Sequence, residues 1–238
     1  IVQGCLLDSS GRVRDLLEIR IIDTGAEVLS LLGNFEELSK GFEQIIFPAD
    51  KVRVDKSLKI RRVQDLEKES GFIFNQVKWL PIEKESSKDY SISKCSKDHI
   101  FEKSIYRKGL PISLYKVLNE YTPFELGLSN LVNRSKGCYT GQEAISRFLR
   151  SKQLRQQIRY WESDQFLSVG EKLKVLSSGI NEGRIVGKII SAVQDNQTGA
   201  GNGLAVIRSI FLNGKDVFSA KGSEEVRVEI PEFSSFEI

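Results

Sequence analysis

Lys136-Gly137-Cys138-Tyr139-Thr140-Gly141-Gln142-Glu143 sets a cysteine between two glycines, close to a lysine and just ahead of a helix predicted from Gln142 to Arg150. Ala144, Ile145 and Phe148 fall on the inner face of that helix. A thiol at Cys138 would feel Lys136 and the positive helix end, and both favour thiolate. The free amides of the same helix start can hold an anion or a carboxylate. Alternatively, Gly137 and Gly141 only make turns and Cys138 is a small buried filler. Spacing alone leaves both readings open.

Upstream, residues 16–22 and 26–32 are short β-type runs joined by the turn combination Asp23-Thr24-Gly25, which predicts a hairpin. The chain opens at Ile1-Val2-Gln3-Gly4 inside what reads as a strand, so a preceding segment is expected. Phe35, Leu38, Phe42, Ile45 and Ile46 recur at helical spacing, predicting a helix capped by Asn34 and ended before Pro48. Alternation over Lys51 to Asp55 predicts a further half-buried strand. The opening therefore reads as a β-β-α-β module of an α+β body, and residues 83–98, polar and serine-rich, read as a surface loop.

Downstream of residue 150 the pattern is almost purely β. Ile158 and Tyr160 join Leu154 on one face, followed by Leu173 with Val175, Ile185 to Ile190, Leu204 to Ile207, and Val226, Val228 and Ile230. Glycines punctuate these runs, predicting a small antiparallel barrel of roughly 80 residues. The expected division is a body over 1–150, itself of two sub-domains, and a barrel over 151–238.

Composition narrows the function classes. The 238 residues include 35 Lys plus Arg and 32 Asp plus Glu, for a formal charge of +3, too small to require a nucleic-acid or acidic partner. The 3 cysteines, Cys5, Cys95 and Cys138, lie far apart, and with the single histidine His99 they write no zinc site of ordinary spacing. The same scatter cannot hold an iron–sulfur cluster of the four-thiolate kind. No disulfide framework is present, and no apolar run approaches the roughly 18 residues of a membrane span. These features fit the cytoplasm, or an organelle stroma or matrix. The sequence contains no methionine.

The stretch from Lys136 to Glu143 is complete as the Lys-Gly-Cys-Tyr-x-Gly-Gln-Glu motif of the YgfZ family, whose members resemble the glycine-cleavage T-protein and bind tetrahydrofolate. Gly109-Leu110-Pro111 and Thr122-Pro123-Phe124-Glu125-Leu126-Gly127-Leu128 are similar to further family segments, and Arg147 sits where the family often has arginine. Gly11-Arg12-Val13-Arg14-Asp15-Leu16 resembles the T-protein hairpin whose aspartate faces folate. The resemblance runs through most of the chain, to about Pro231. It implies an α+β, three-part T-protein-like fold with a C-terminal antiparallel β-barrel and a folate in a central hole.

On that resemblance Asp15 is the candidate pterin-facing carboxylate. The other candidate ligand contacts are Lys136, Tyr139, Gln142, Glu143 and Arg147, with Cys138 and Asp15 as candidates for any chemistry. The competing reading of Asp15 is an exposed turn aspartate. T-proteins carry a glutamate two residues before the glycine matching Gly109, where this chain has Arg107, a departure that points away from aminomethyl transfer. The implied role is a tetrahydrofolate-binding accessory protein for iron–sulfur protein assembly or repair, including enzymes of tRNA modification, with iron–sulfur client proteins or assembly factors as partners. The alternative is a folate-dependent aminomethyltransferase or other one-carbon transferase. Arg147, Arg150, Lys152, Arg155 and Arg159 offer a third reading, contact with tRNA phosphates, although such clusters are more often solvated faces.

Overall fold

The computed structural model describes residues 1–32, 35–55, 60–63, 78–81, 117–151, 153–176, 183–212, 216–220, 224–231 and 234. The alternating opening forms a three-stranded antiparallel sheet of β1 (Val2–Leu7), β2 (Val13–Ile22) and β3 (Gly25–Ser30), with β2 central. The expected hairpin is present, with Ile22 opposite Gly25 across the Asp23-Thr24 turn.

The helix after it, α1 (Phe35–Glu43), is shorter than its apolar spacing predicts. Pro48 disfavours a helical backbone at Phe47, which lies extended at φ −91° and ψ 151°, so the chain tightens and leaves the helix early. Leu38 is buried and Phe42 half-buried, whereas Ile45 is 66% exposed. The strand expected over Lys51 to Asp55 is not formed. Lys51 takes a left-handed conformation at φ 52°, and Val52 is exposed. The next strands are β4 (Ile60–Val63) and β5 (Lys78–Pro81), which pair with each other. Asn34, the segment 83–98, Arg107, Gly109 and Pro111 lie outside the described residues.

The C-terminal strands close into a six-stranded antiparallel barrel. They are β6 (Gln156–Ser163), β7 (Lys172–Val175), β8 (Ile185–Gln194), β9 (Gly201–Arg208), β10 (Asp216–Ala220) and β11 (Glu224–Glu229), in the spatial order β10-β11-β6-β9-β8-β7. Five of the six were expected from short apolar runs separated by glycines. β10 was not, because its apolar run is short and its burial comes from neighbours on both sides.

Strand β9 shows how one barrel wall serves two cores. Side chains alternate across a strand. Ala205 and Ile207 therefore pack inside the barrel with Trp161, Leu173, Val186 and Phe218, while Leu204 and Val206 join the other cluster. That second cluster also holds Val13 and Leu16 from the sheet, Phe124, Leu126 and Leu128, and Ile145 from α2 (Gln142–Ser151). Buried on both faces, β9 is apolar without a break from Leu204 to Ile207, as a two-sided strand must be.

The segment 117–128 ties the sheet to the barrel. On one side it exchanges two backbone bonds with β2, from the Val13 amide to the Tyr121 carbonyl at 2.9 Å and from the Asn119 amide to the Val13 carbonyl at 2.8 Å. On the other side the Ile158 amide of β6 donates to the Glu125 carbonyl at 2.8 Å, and Gln156 Nε2 donates to Glu125 Oε1 at 3.0 Å. Glu125 Oε2 meanwhile accepts from the Thr122 amide and hydroxyl, closing the turn that carries Phe124. The Phe124 ring stacks on Phe148 of α2 with centroids 4.7 Å apart. Truncation there removes the stacked ring from the cluster that sheet, barrel and α2 share. Phe124→Ala is expected to cost about 3–5 kcal/mol in denaturant unfolding, and a loss below about 1 kcal/mol would show that the segment is not a structural junction.

Candidate functional site

The Lys136–Glu143 stretch enters its turn through Asn133, whose Oδ1 accepts from the Ser135 and Lys136 amides at 2.8 and 3.0 Å. It leaves as α2, where the Gly141 carbonyl accepts the Ile145 amide at 3.0 Å. The helix spans Gln142–Ser151, close to its predicted extent, with Ile145 buried and Glu143, Arg147 and Arg150 facing outward.

The two motif glycines do different jobs. Gly137 is exposed, and a Cβ added there would meet nothing within 4 Å. Gly141 sits at φ +84°, and a Cβ there would lie 2.4 Å from the Asp8 carbonyl oxygen and 3.1 Å from the Gly11 Cα. Gly11, at φ +78°, in turn lies against Ala144 and Ile145. Two turns distant in sequence thus touch backbone to backbone, one between β1 and β2, the other at the start of α2.

The first turn is held by Asp8, a residue the sequence reading passed over. Its Oδ1 accepts from the Ser10 amide at 2.8 Å, the Ser10 hydroxyl at 2.7 Å and the Arg12 amide at 2.9 Å. Burial alone would raise the Asp8 carboxyl's pKa. The Arg12 amide, the Ser10 donors and the Arg12 charge outweigh that and hold it below its ordinary value. The Asp-Ser-Ser-Gly order was the available signal, since a short acidic side chain before a glycine commonly closes its own turn.

Beside this contact lies a cavity of about 360 Å³, lined among others by Leu6, Asp8, Arg14, Asp15, Phe42 and Thr140. Asp15 and Thr140 are thus brought to one cavity. Lys136, Cys138, Tyr139, Gln142, Glu143 and Arg147 are not among its described lining residues. The Lys136 ammonium instead stands over the Tyr139 ring, 4.7 Å from its centroid. Arg147 pairs with Glu143 at 3.2 Å on the solvated face of α2. Burial raises the Tyr139 phenol pKa, so the ring stays neutral at physiological pH.

Asp15 is not an exposed turn residue. It is 3% exposed, and Oδ1 accepts from the Leu16 and Leu32 amides at 2.7 and 2.9 Å while Oδ2 accepts the Ser30 hydroxyl at 2.5 Å. The carboxylate therefore pins the end of β3 to β2 as well as bordering the cavity. Cys138 is exposed, which removes the buried-filler reading, whereas Cys5 is partly buried and desolvation pushes its thiol up to about 12. Arg159, one of the five clustered cations, is buried and donates to the Ile158 carbonyl and the Gln157 side chain. Lys152 lies outside the described residues.

Among solved structures, the chain is similar to the glycine cleavage system aminomethyltransferase T from Bartonella henselae. The TM-score is 0.58 at 13% sequence identity, over 99% of this chain and 76% of that one. The chain therefore has a T-protein-like fold of mixed helices, antiparallel sheets and a closed barrel. No protein-family model matches the sequence, and no curated protein does. Among the described residues no helix is long and apolar enough to cross a membrane.

Two outcomes follow from the site's geometry. Gly141→Ala is expected to lose about 2 kcal/mol or more, from the left-handed backbone and the Asp8 contact together, while Gly137→Ala stays within roughly 0.5 kcal/mol of the parent. Equal stabilities of the two variants in urea titration would contradict the contact. In brief alkylation at neutral pH, Cys138 is expected to label faster than Cys5, which is partly buried and whose thiol is held protonated by desolvation. Mass spectrometry showing the reverse order would contradict the greater exposure of Cys138.

Proposed function

We propose that this chain is a tetrahydrofolate-binding accessory protein that serves the assembly or repair of iron–sulfur proteins, including enzymes of tRNA modification, in the cytoplasm or an organelle interior. The observation that carries the folate part is the shared cavity: Asp15 of the hairpin and Thr140 of the motif border the same space, beside the contact of their two turns. Its volume is within the usual range of small-molecule sites, about 300–1,000 Å³. Leu6, Leu38, Phe42 and Ile45 give it apolar walls suited to a flat ring, and the carboxylates suit a ring edge that offers N–H donors in a row. The iron–sulfur part rests on the complete Lys136 to Glu143 motif and its resemblance to the YgfZ family.

The likeness in fold to an aminomethyltransferase T supports a second reading, transfer of a one-carbon unit on the same folate. Glycine-dependent turnover separates the two. Contact with tRNA has weaker support, since Arg159 is buried and Arg147 is paired with Glu143.

Calorimetric titration of the chain with tetrahydrofolate is expected to saturate a single site without glycine-dependent turnover. Asp15→Asn should weaken that binding about tenfold or more, with its stability measured alongside because the carboxylate also pins β3. Absence of saturable binding by the unaltered chain would overturn the folate reading.

A further inference from the structure

The ladder between β1 and β2 slips once. Leu6 pairs with Asp15 and Leu7 with Val13, which makes Arg14 the extra residue of a β-bulge. On a regular strand the side chains of residues 14 and 15 point to opposite faces. Here both line the same cavity. A bulge that re-aims a side chain beside a pocket is a recurrent device at binding sites.

The re-aimed side chain is the one cation among the described residues lining this cavity. The other charged lining residues, Asp8 and Asp15, are carboxylates. The cavity is therefore bipolar, with carboxylates able to meet N–H donors, apolar walls from Leu38 and Phe42, and one exposed guanidinium. Such a lining suits an elongated ligand with a donor-bearing ring at one end and an anion at the other. A guanidinium fork matches a carboxylate with two parallel hydrogen bonds.

We infer that Arg14 receives the carboxylate end of the ligand and so sets its specificity, an assignment that rests on the folate reading and gives the glutamyl tail its partner. Because Arg14 is exposed and belongs to neither core cluster, its substitution spares the packing.

The test is calorimetric titration of the full chain, as the unaltered protein, Arg14→Ala and Arg14→Lys, with tetrahydrofolate and with 6-methyltetrahydropterin, which has the ring but no glutamyl tail. Arg14→Ala is expected to weaken tetrahydrofolate about ten- to a hundredfold and to leave the tetrahydropterin within about twofold. Arg14→Lys should recover part of the loss, since it keeps the charge without the fork. Unchanged tetrahydrofolate affinity in Arg14→Ala, or an equal loss for both ligands, overturns the assignment. Failure of the unaltered chain to bind either ligand overturns the folate reading instead, before any Arg14 variant is compared.

Discussion

The close approach of Gly141 to the Asp8 carbonyl and the Gly11 Cα is the constraint on which the candidate site depends. A side chain at position 141 would collide with backbone, which cannot swing aside as a flexible side chain can. The two left-handed glycines let the hairpin turn and the helix start share one small volume, and the cavity bordered by Asp15 and Thr140 lies beside them. Asp8 keeps the hairpin turn in shape from within, through three hydrogen bonds to a single carboxylate oxygen. Asp15 keeps the strands behind it in register, with both oxygens engaged. A buried carboxylate satisfied by amides is stable where a bare one would not be.

That contact is held in place by the segment 117–128. It bonds to β2 through Val13 and to β6 through Glu125, and it stacks Phe124 on the helix that follows the motif. Barrel, sheet and α2 therefore meet in one apolar cluster. Lys188 of β8 adds a link from the barrel to Glu120 at 3.0 Å; that hydrogen bond chiefly raises the lysine pKa and keeps it charged. The Thr122 to Leu128 stretch is in this structure mainly a fastening. Its apolar residues Phe124, Leu126 and Leu128 are buried, and its glutamate closes a turn.

Much of this was legible in the residues. Short apolar runs gave the hairpin and five barrel strands, and three-four spacing gave α2 almost to the residue, because each of these elements buries at least one continuous apolar face. Alternation failed at Lys51 to Asp55, where the pattern is present but, among the described residues, no strand pairs with it, and the helix α1 stopped short of its pattern because Pro48 acts one residue ahead of itself. The motif glycines looked equivalent in sequence, and only packing separates Gly141 from Gly137. Arg14 was invisible for a related reason. A bulge depends on how two strands pair, and the strand carrying Arg14 has no local sign of one.

Amide hydrogen exchange with and without tetrahydrofolate tests the central claim most directly, since it reads both turns in one experiment. Ligand bound beside the joined turns should slow exchange together in residues 8–15 and 140–145, leaving the far barrel strands β10 and β11 unchanged. Protection confined to the barrel, or to one turn without the other, would contradict the account.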